Sequence, residues 1–149
     1  MPRFLFSAWM LSLMLSAACQ QSPAPGSPAA PSAPAAAAPV QPPAPGTALS
    51  PAEFQRMLAA GGAQLVDVRT AGELAAGKIQ GAAHIDVYDP AFASKAAQLD
   101  KQKPVLVYCA SGVRSRRAAQ MLAAQGYTQV YDLQGGIRFW QSKGLPVVR

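Results

Sequence analysis

Cysteine and histidine are nearly absent from this chain: Cys19, Cys109 and His84 are the whole supply in 149 residues. That excludes a scaffold stapled by several disulfides and a zinc centre built from Cys and His clusters. A Ser-His-Asp triad would have to rest on His84 alone. Charge is thin as well, at 13% of residues, with 7 acidic side chains against 13 Lys and Arg. The resulting +6 is spread along the chain without aromatic interleaving, so no nucleic-acid partner is expected. No apolar run outlasts the one at the N-terminus, which excludes a multi-span membrane protein.

That N-terminal run, residues 1–18, reads as an export signal. Arg3 supplies the positive end, and Phe4 to Leu15 are apolar except for two serines. The stretch is shorter than the ~20 residues needed to cross a bilayer. Ser16, Ala17 and Ala18 then lead into Cys19. This junction resembles a bacterial lipoprotein signal, although Ser16 stands where that pattern usually has Leu. The resemblance implies lipidation of Cys19 and a periplasm-facing place in the cell envelope, anchored in a membrane. Gln20, in place of the Asp that marks inner-membrane retention, points to the outer membrane. Residues 19–47 form a tether. Gln20 to Gly46 hold 9 Pro and 9 Ala in 27 residues with no charge, a composition that excludes helix and strand and leaves a polyproline-biased spacer.

Residues 48–149 carry the domain. Ser50-Pro51-Ala52-Glu53 is a capping box with Pro at the first helical position. Phe54, Met57 and Leu58 follow at helical spacing until Gly61-Gly62. Strands are expected at 64–68, 83–87, 104–108 and 130–131. Helical segments are expected near 70–75, at 90–99, from near Ser115 to Gly126, and over 136–143. Ala118, Ala119, Leu122 and Ala123 should form the apolar side of the third of these, and Phe139 and Trp140 should be core. Short strands alternating with helices predict an α/β fold, a small parallel sheet covered on both faces.

Ligands of open α/β sheets bind beyond the carboxyl ends of the strands. Cys109 sits at such an end, where the strand 104–108 runs into Cys109-Ala-Ser-Gly-Val-Arg114 and a helix start. Backbone N–H groups of a tight loop and the helix dipole form an anion nest that should lower a thiol's pKa without a histidine base. Gly112 permits the turn, and Arg114 adds a permanent cation. A lone cysteine is usually a small core residue; the strand–loop–helix context favours a nucleophile here.

Three segments in order resemble the single-domain rhodaneses. They are Val66-Asp-Val-Arg69 with Glu73 and Gly77 to Ala82, the loop Cys109 to Ser115, and Gly135-Gly-Ile-Arg-Phe-Trp140 with Gly144-Leu-Pro146. Lys78 and Gln80 replace the more usual His and Pro. The resemblance implies a three-layer rhodanese-like sandwich and a sulfurtransferase with no metal and no cofactor. In it Cys109 takes sulfane sulfur from a small anionic donor such as thiosulfate and passes it to cyanide or a thiol, a protein thiol included. The N–H groups of Ala110, Ser111, Gly112, Val113 and Arg114 would hold the sulfur, and Arg114 the donor. Four residues separate Cys109 from Arg114, where related phosphatases have five, so phosphatase or arsenate-reductase chemistry is the less favoured enzyme. A non-catalytic module that binds or senses sulfane sulfur is the alternative from another class. Asp67, Arg69 and Glu73 are expected to brace the turn after the first strand by ion pairing, and His84 to be structural or on the surface. Arg116 and Arg117 either steer anions or form a solvated helix face.

Overall fold

The computed structural model describes Ala44 and residues 46–149; the expected export signal, Cys19 and most of the expected tether fall outside the described residues. Strands and helices alternate: β1 (Ala48–Leu49), α1 (Pro51–Ala60), β2 (Gln64–Asp67), α2 (Ala71–Leu74), β3 (Ala83–His84), α3 (Phe92–Ala96), β4 (Val105–Tyr108), α4 (Val113–Ala124), β5 (Val130–Leu133) and α5 (Gly136–Ser142). The five strands form one parallel sheet in the order β1-β5-β4-β2-β3. β4 is central, and all four of its residues are buried. That is what a continuous Val-Leu-Val-Tyr run requires, since only a strand covered on both faces buries every side chain.

Side-chain alternation sends successive residues to two cores. Val105, Val107 and Cys109 pack with Val66, Phe92, Ala118 and Leu122 under α3 and α4. Leu106 and Tyr108 pack with Phe54, Ile137 and Trp140 under α1 and α5. The arrangement is the expected α/β sandwich of three layers. Trp140 meets Phe54 edge-on at 6.1 Å, and its indole N–H donates to the Pro146 carbonyl at 2.9 Å. The expected capping box closes α1: the Ser50 amide donates to the Glu53 carboxylate at 2.9 Å, and the Glu53 amide to the Ser50 hydroxyl.

Several local expectations are corrected. β1 carries no readable pattern because it is two residues long; it exists because Leu49 buries its side chain and pairs with Leu133 of β5. The Gly46 amide already donates to the Val130 carbonyl at 2.8 Å. α4 starts at Val113 rather than Ser115, since Gly112 takes the N-cap position. Ala123 is exposed and Phe139 only half-buried, so neither belongs to the core. α3 is shorter than expected, and the Tyr127 hydroxyl donates to the Ala96 and Leu99 carbonyls at 2.6 and 3.0 Å just past its end.

Candidate active site

Cys109 follows β4 directly and is fully buried. Its position is fixed from three sides. The Gly112 amide donates to Cys109 Sγ at 3.1 Å, closing the loop on itself. The Cys109 carbonyl accepts from the Ile137 amide at 2.8 Å, and the Ala110 carbonyl from the Arg138 amide at 3.2 Å. Two of the N–H groups that α5 leaves without helical partners are thereby satisfied by the loop itself. Gly112 adopts φ 93°, the left-handed region that turns the chain into α4.

The Gly135-Gly136 pair has a spatial reason. At Gly136, φ 61°, a Cβ would overlap the Cys109 carbonyl oxygen and come within 2.6 Å of Ala110 C and Ser111 N. α5 can reach the loop only where no side chain intervenes.

Burial by itself would raise the Cys109 pKa. The Ser115 amide and hydroxyl and the amides of Ser111 and Gly112 together outweigh it, so the thiol ionises below its ordinary value. Ser115, two residues into α4 beyond its first residue, was not singled out from the sequence. It is wholly buried, with its Oγ donating to the Gly112 carbonyl at 3.1 Å. A hydroxyl directly after the loop arginine was the only signal available. Replacing Ser115 with Ala removes its hydroxyl but not its amide and is expected to raise the Cys109 ionisation midpoint, lowering the rate of iodoacetamide alkylation at pH 7 by roughly three- to tenfold, the net worth of one ordinary hydrogen bond. An alkylation pH profile superimposable on the wild type would contradict that role.

The charged trio divides its work. Asp67 and Arg69 form a buried ion pair, with Arg69 Nε donating to both Asp67 oxygens at 2.9 Å. Arg69 Nη1 also donates to the Glu73 carbonyl and Nη2 to the Gly77 carbonyl. These bonds tie the turn after β2 to the segment that follows it. The Glu73 carboxylate does more: it accepts from the Thr70 amide, then receives both Arg114 terminal nitrogens at 2.7 and 2.6 Å from 41 residues away. Hydrogen bonding from Arg114 holds Glu73 down at about 2 against the opposing effect of burial. Arg114 is therefore a braced cation within electrostatic reach of Cys109.

Of the remaining loop residues, Ala110 and Gly112 are buried, whereas Ser111 and Val113 are exposed. His84 lies on the surface, one ring nitrogen 2.7 Å from the Arg69 carbonyl. Arg116 and Arg117 are exposed on α4. Asp132 is buried with neither carboxyl oxygen hydrogen-bonded, and burial raises its pKa. Among the described residues no group of three or more His, Cys, Asp or Glu could hold a metal ion.

Residues 50–143 match the family model described as the rhodanese-like domain. A thiosulfate sulfurtransferase GlpE of Pseudomonas fluorescens is 41% identical over 92 residues, covering 62% of this chain and 83% of that protein. A sulfurtransferase of Allochromatium vinosum is 39% identical over 84 residues, covering 56% of this chain and 77% of that protein. Among solved structures, a rhodanese-like domain protein of Staphylococcus aureus superposes with a TM-score of 0.59 at 28% identity, over 69% of this chain and 99% of that one.

Proposed function

The chain belongs to the rhodanese-like domain family, and from that premise we propose that it is a sulfurtransferase carrying sulfane sulfur on Cys109. One observation supports this most directly: a buried cysteine thiol whose ionisation is favoured by backbone N–H groups and one hydroxyl, with no histidine base beside it. Such a site stabilises a sulfur anion and needs no proton relay. The Cys109 thiolate attacks the outer sulfur of a donor such as thiosulfate. A bond forms between Sγ and that sulfur, the donor's S–S bond breaks, and sulfite leaves with the electron pair. A nucleophile, cyanide or a thiolate, then attacks the outer sulfur, and Cys109 departs as thiolate. Arg114, held by Glu73, meets the anionic donor.

The reading is tested by steady-state turnover of the full chain with thiosulfate and cyanide. Sulfite and thiocyanate are expected in equal amounts, with both lost in Cys109→Ser. Loading followed by no release would favour the sensing module instead.

We further propose, from the sequence of residues 1–47, that the domain is lipid-anchored through Cys19 and held away from the envelope membrane by the Pro/Ala spacer. Cys19→Ser is expected to stop incorporation of labelled palmitate and move the protein to the soluble fraction. Unchanged membrane association would rule the anchor out.

A further inference from the structure

Cys109 is buried, so an acceptor must bring its nucleophile to the mouth of the loop, and the surface around that mouth is unusual. Among the described residues the exposed large apolar side chains are Tyr88, Val113 and Val148, and two of the three flank the site. Val113, the first residue of α4, is 75% exposed; Tyr88 is 60% exposed with its ring 5.8 Å from the guanidinium of Arg114. Neither contributes to the core beneath. Tyrosine in such a position supplies large, rigid contact area with a polar tip, as at the anchoring points of protein interfaces.

The charge around this collar has one predominant sign. Arg138 lies in the first turn of α5, whose amides grip the loop, and Arg116 and Arg117 lie in the second turn of α4. All three are exposed, and none takes part in an ion pair or a side-chain hydrogen bond among the described residues. Of the nearby acids, Glu73 pairs with Arg114 and Asp89 with Lys95, Asp86 accepts from the Tyr88 amide, and the buried Asp132 acts electrostatically on Arg116. That leaves Arg117 and Arg138 without an acidic partner among the described residues, and an apolar pair beside such cations complements an acidic surface that presents a thiol between apolar residues.

Resting on the sulfurtransferase reading, we propose that the acceptor is a protein thiol on an acidic, apolar-flanked segment that docks against Tyr88 and Val113. In the transfer the acceptor thiolate attacks the outer sulfur of the Cys109 persulfide. The bond from Sγ to that sulfur breaks, a new S–S bond forms on the acceptor, and Cys109 returns to thiolate with no net oxidation.

The test uses the full chain and two synthetic peptides, one with cysteine between leucines and glutamates, the other with cysteine between serines and lysines. The chain is loaded with thiosulfate, desalted, and discharged in single turnover to each peptide and to cyanide. Discharge to the acidic apolar peptide is expected to be at least tenfold faster than to the basic one, and to slow with added salt. Tyr88→Ser should remove most of that preference while changing discharge to cyanide less than twofold. Equal rates for both peptides, or a Tyr88→Ser loss shared equally by cyanide, would overturn the docking surface. Both peptides are also offered to unloaded chain as mixed disulfides with thionitrobenzoate, where attack by Cys109 releases the coloured thiolate with no donor. The same preference there, in a chain that fails to load from thiosulfate, would keep the docking surface and overturn the sulfurtransferase reading.

Discussion

Gly136→Ala is expected to cost at least two orders of magnitude in sulfur transfer, although the residue bears no side chain and touches no substrate. The methyl group would overlap the Cys109 carbonyl oxygen and stand 2.6 Å from Ala110 C and Ser111 N, all of them backbone atoms. Backbone cannot swing aside as the end of a side chain can, so either α5 retreats or the loop shifts. Retreat breaks the bonds from the Ile137 and Arg138 amides to the loop carbonyls. A shift misplaces the thiol, and about 1 Å of misplacement is worth roughly a hundredfold in rate. The left-handed backbone adds about 1–2 kcal/mol of strain for a residue with a Cβ, and overpacking about 1–3 kcal/mol. Gly144→Ala is the control, because its φ of 72° is also left-handed but a Cβ there meets nothing within 4 Å. Rate and melting temperature measured on both variants separate the collision from the strain. Equal, small effects at the two positions would show that α5 does not grip the loop.

Arg69→Met is expected to produce the largest loss of stability of any single charge substitution in the domain. Asp67 and Arg69 are both buried, joined by bonds from Arg69 Nε and Nη2, with the Arg69 amide donating to Asp67 Oδ1 as well. Removing the guanidinium leaves the Asp67 carboxylate buried and uncompensated, which typically costs about 3–5 kcal/mol. For a domain of this size that lowers the melting temperature by roughly 10–25 °C. The loss should reach the active site, because Arg69 also holds the Glu73 and Gly77 carbonyls, and Glu73 holds Arg114. Adding Asp67→Leu to Arg69→Met should recover much of the stability, since no lone charge then remains, while activity stays low. A melting shift of only a degree or two would place the pair among marginal surface interactions.

The parts of this molecule that were legible in its sequence are those written locally. The capping box of α1, the buried run of β4, and the strand–loop–helix around Cys109 each lie within about ten consecutive residues. Local propensity and periodicity are enough to find them. What was missed depends on residues that only the fold brings together. β1 is too short to show alternation and is defined by its partner in β5. The sequence placed Glu73 beside Arg69; its carboxylate crosses 41 residues of chain to Arg114, a partner no spacing rule names. Ser115 looked like the first residue of a helix, yet its hydroxyl works toward the loop. Gly135-Gly136 could be recognised as a motif, but its reason, contact with the backbone of Cys109 and Ala110, exists only in three dimensions. Tyr88 gave no signal at all until its ring was found over Arg114.

The central claim is that Cys109 carries sulfur covalently, and intact-mass measurement of the full chain before and after thiosulfate tests it most directly. Gain of the mass of one sulfur atom is predicted, absent in Cys109→Ser and reversed on adding cyanide. No gain from thiosulfate, or the same gain in Cys109→Ser, would contradict it.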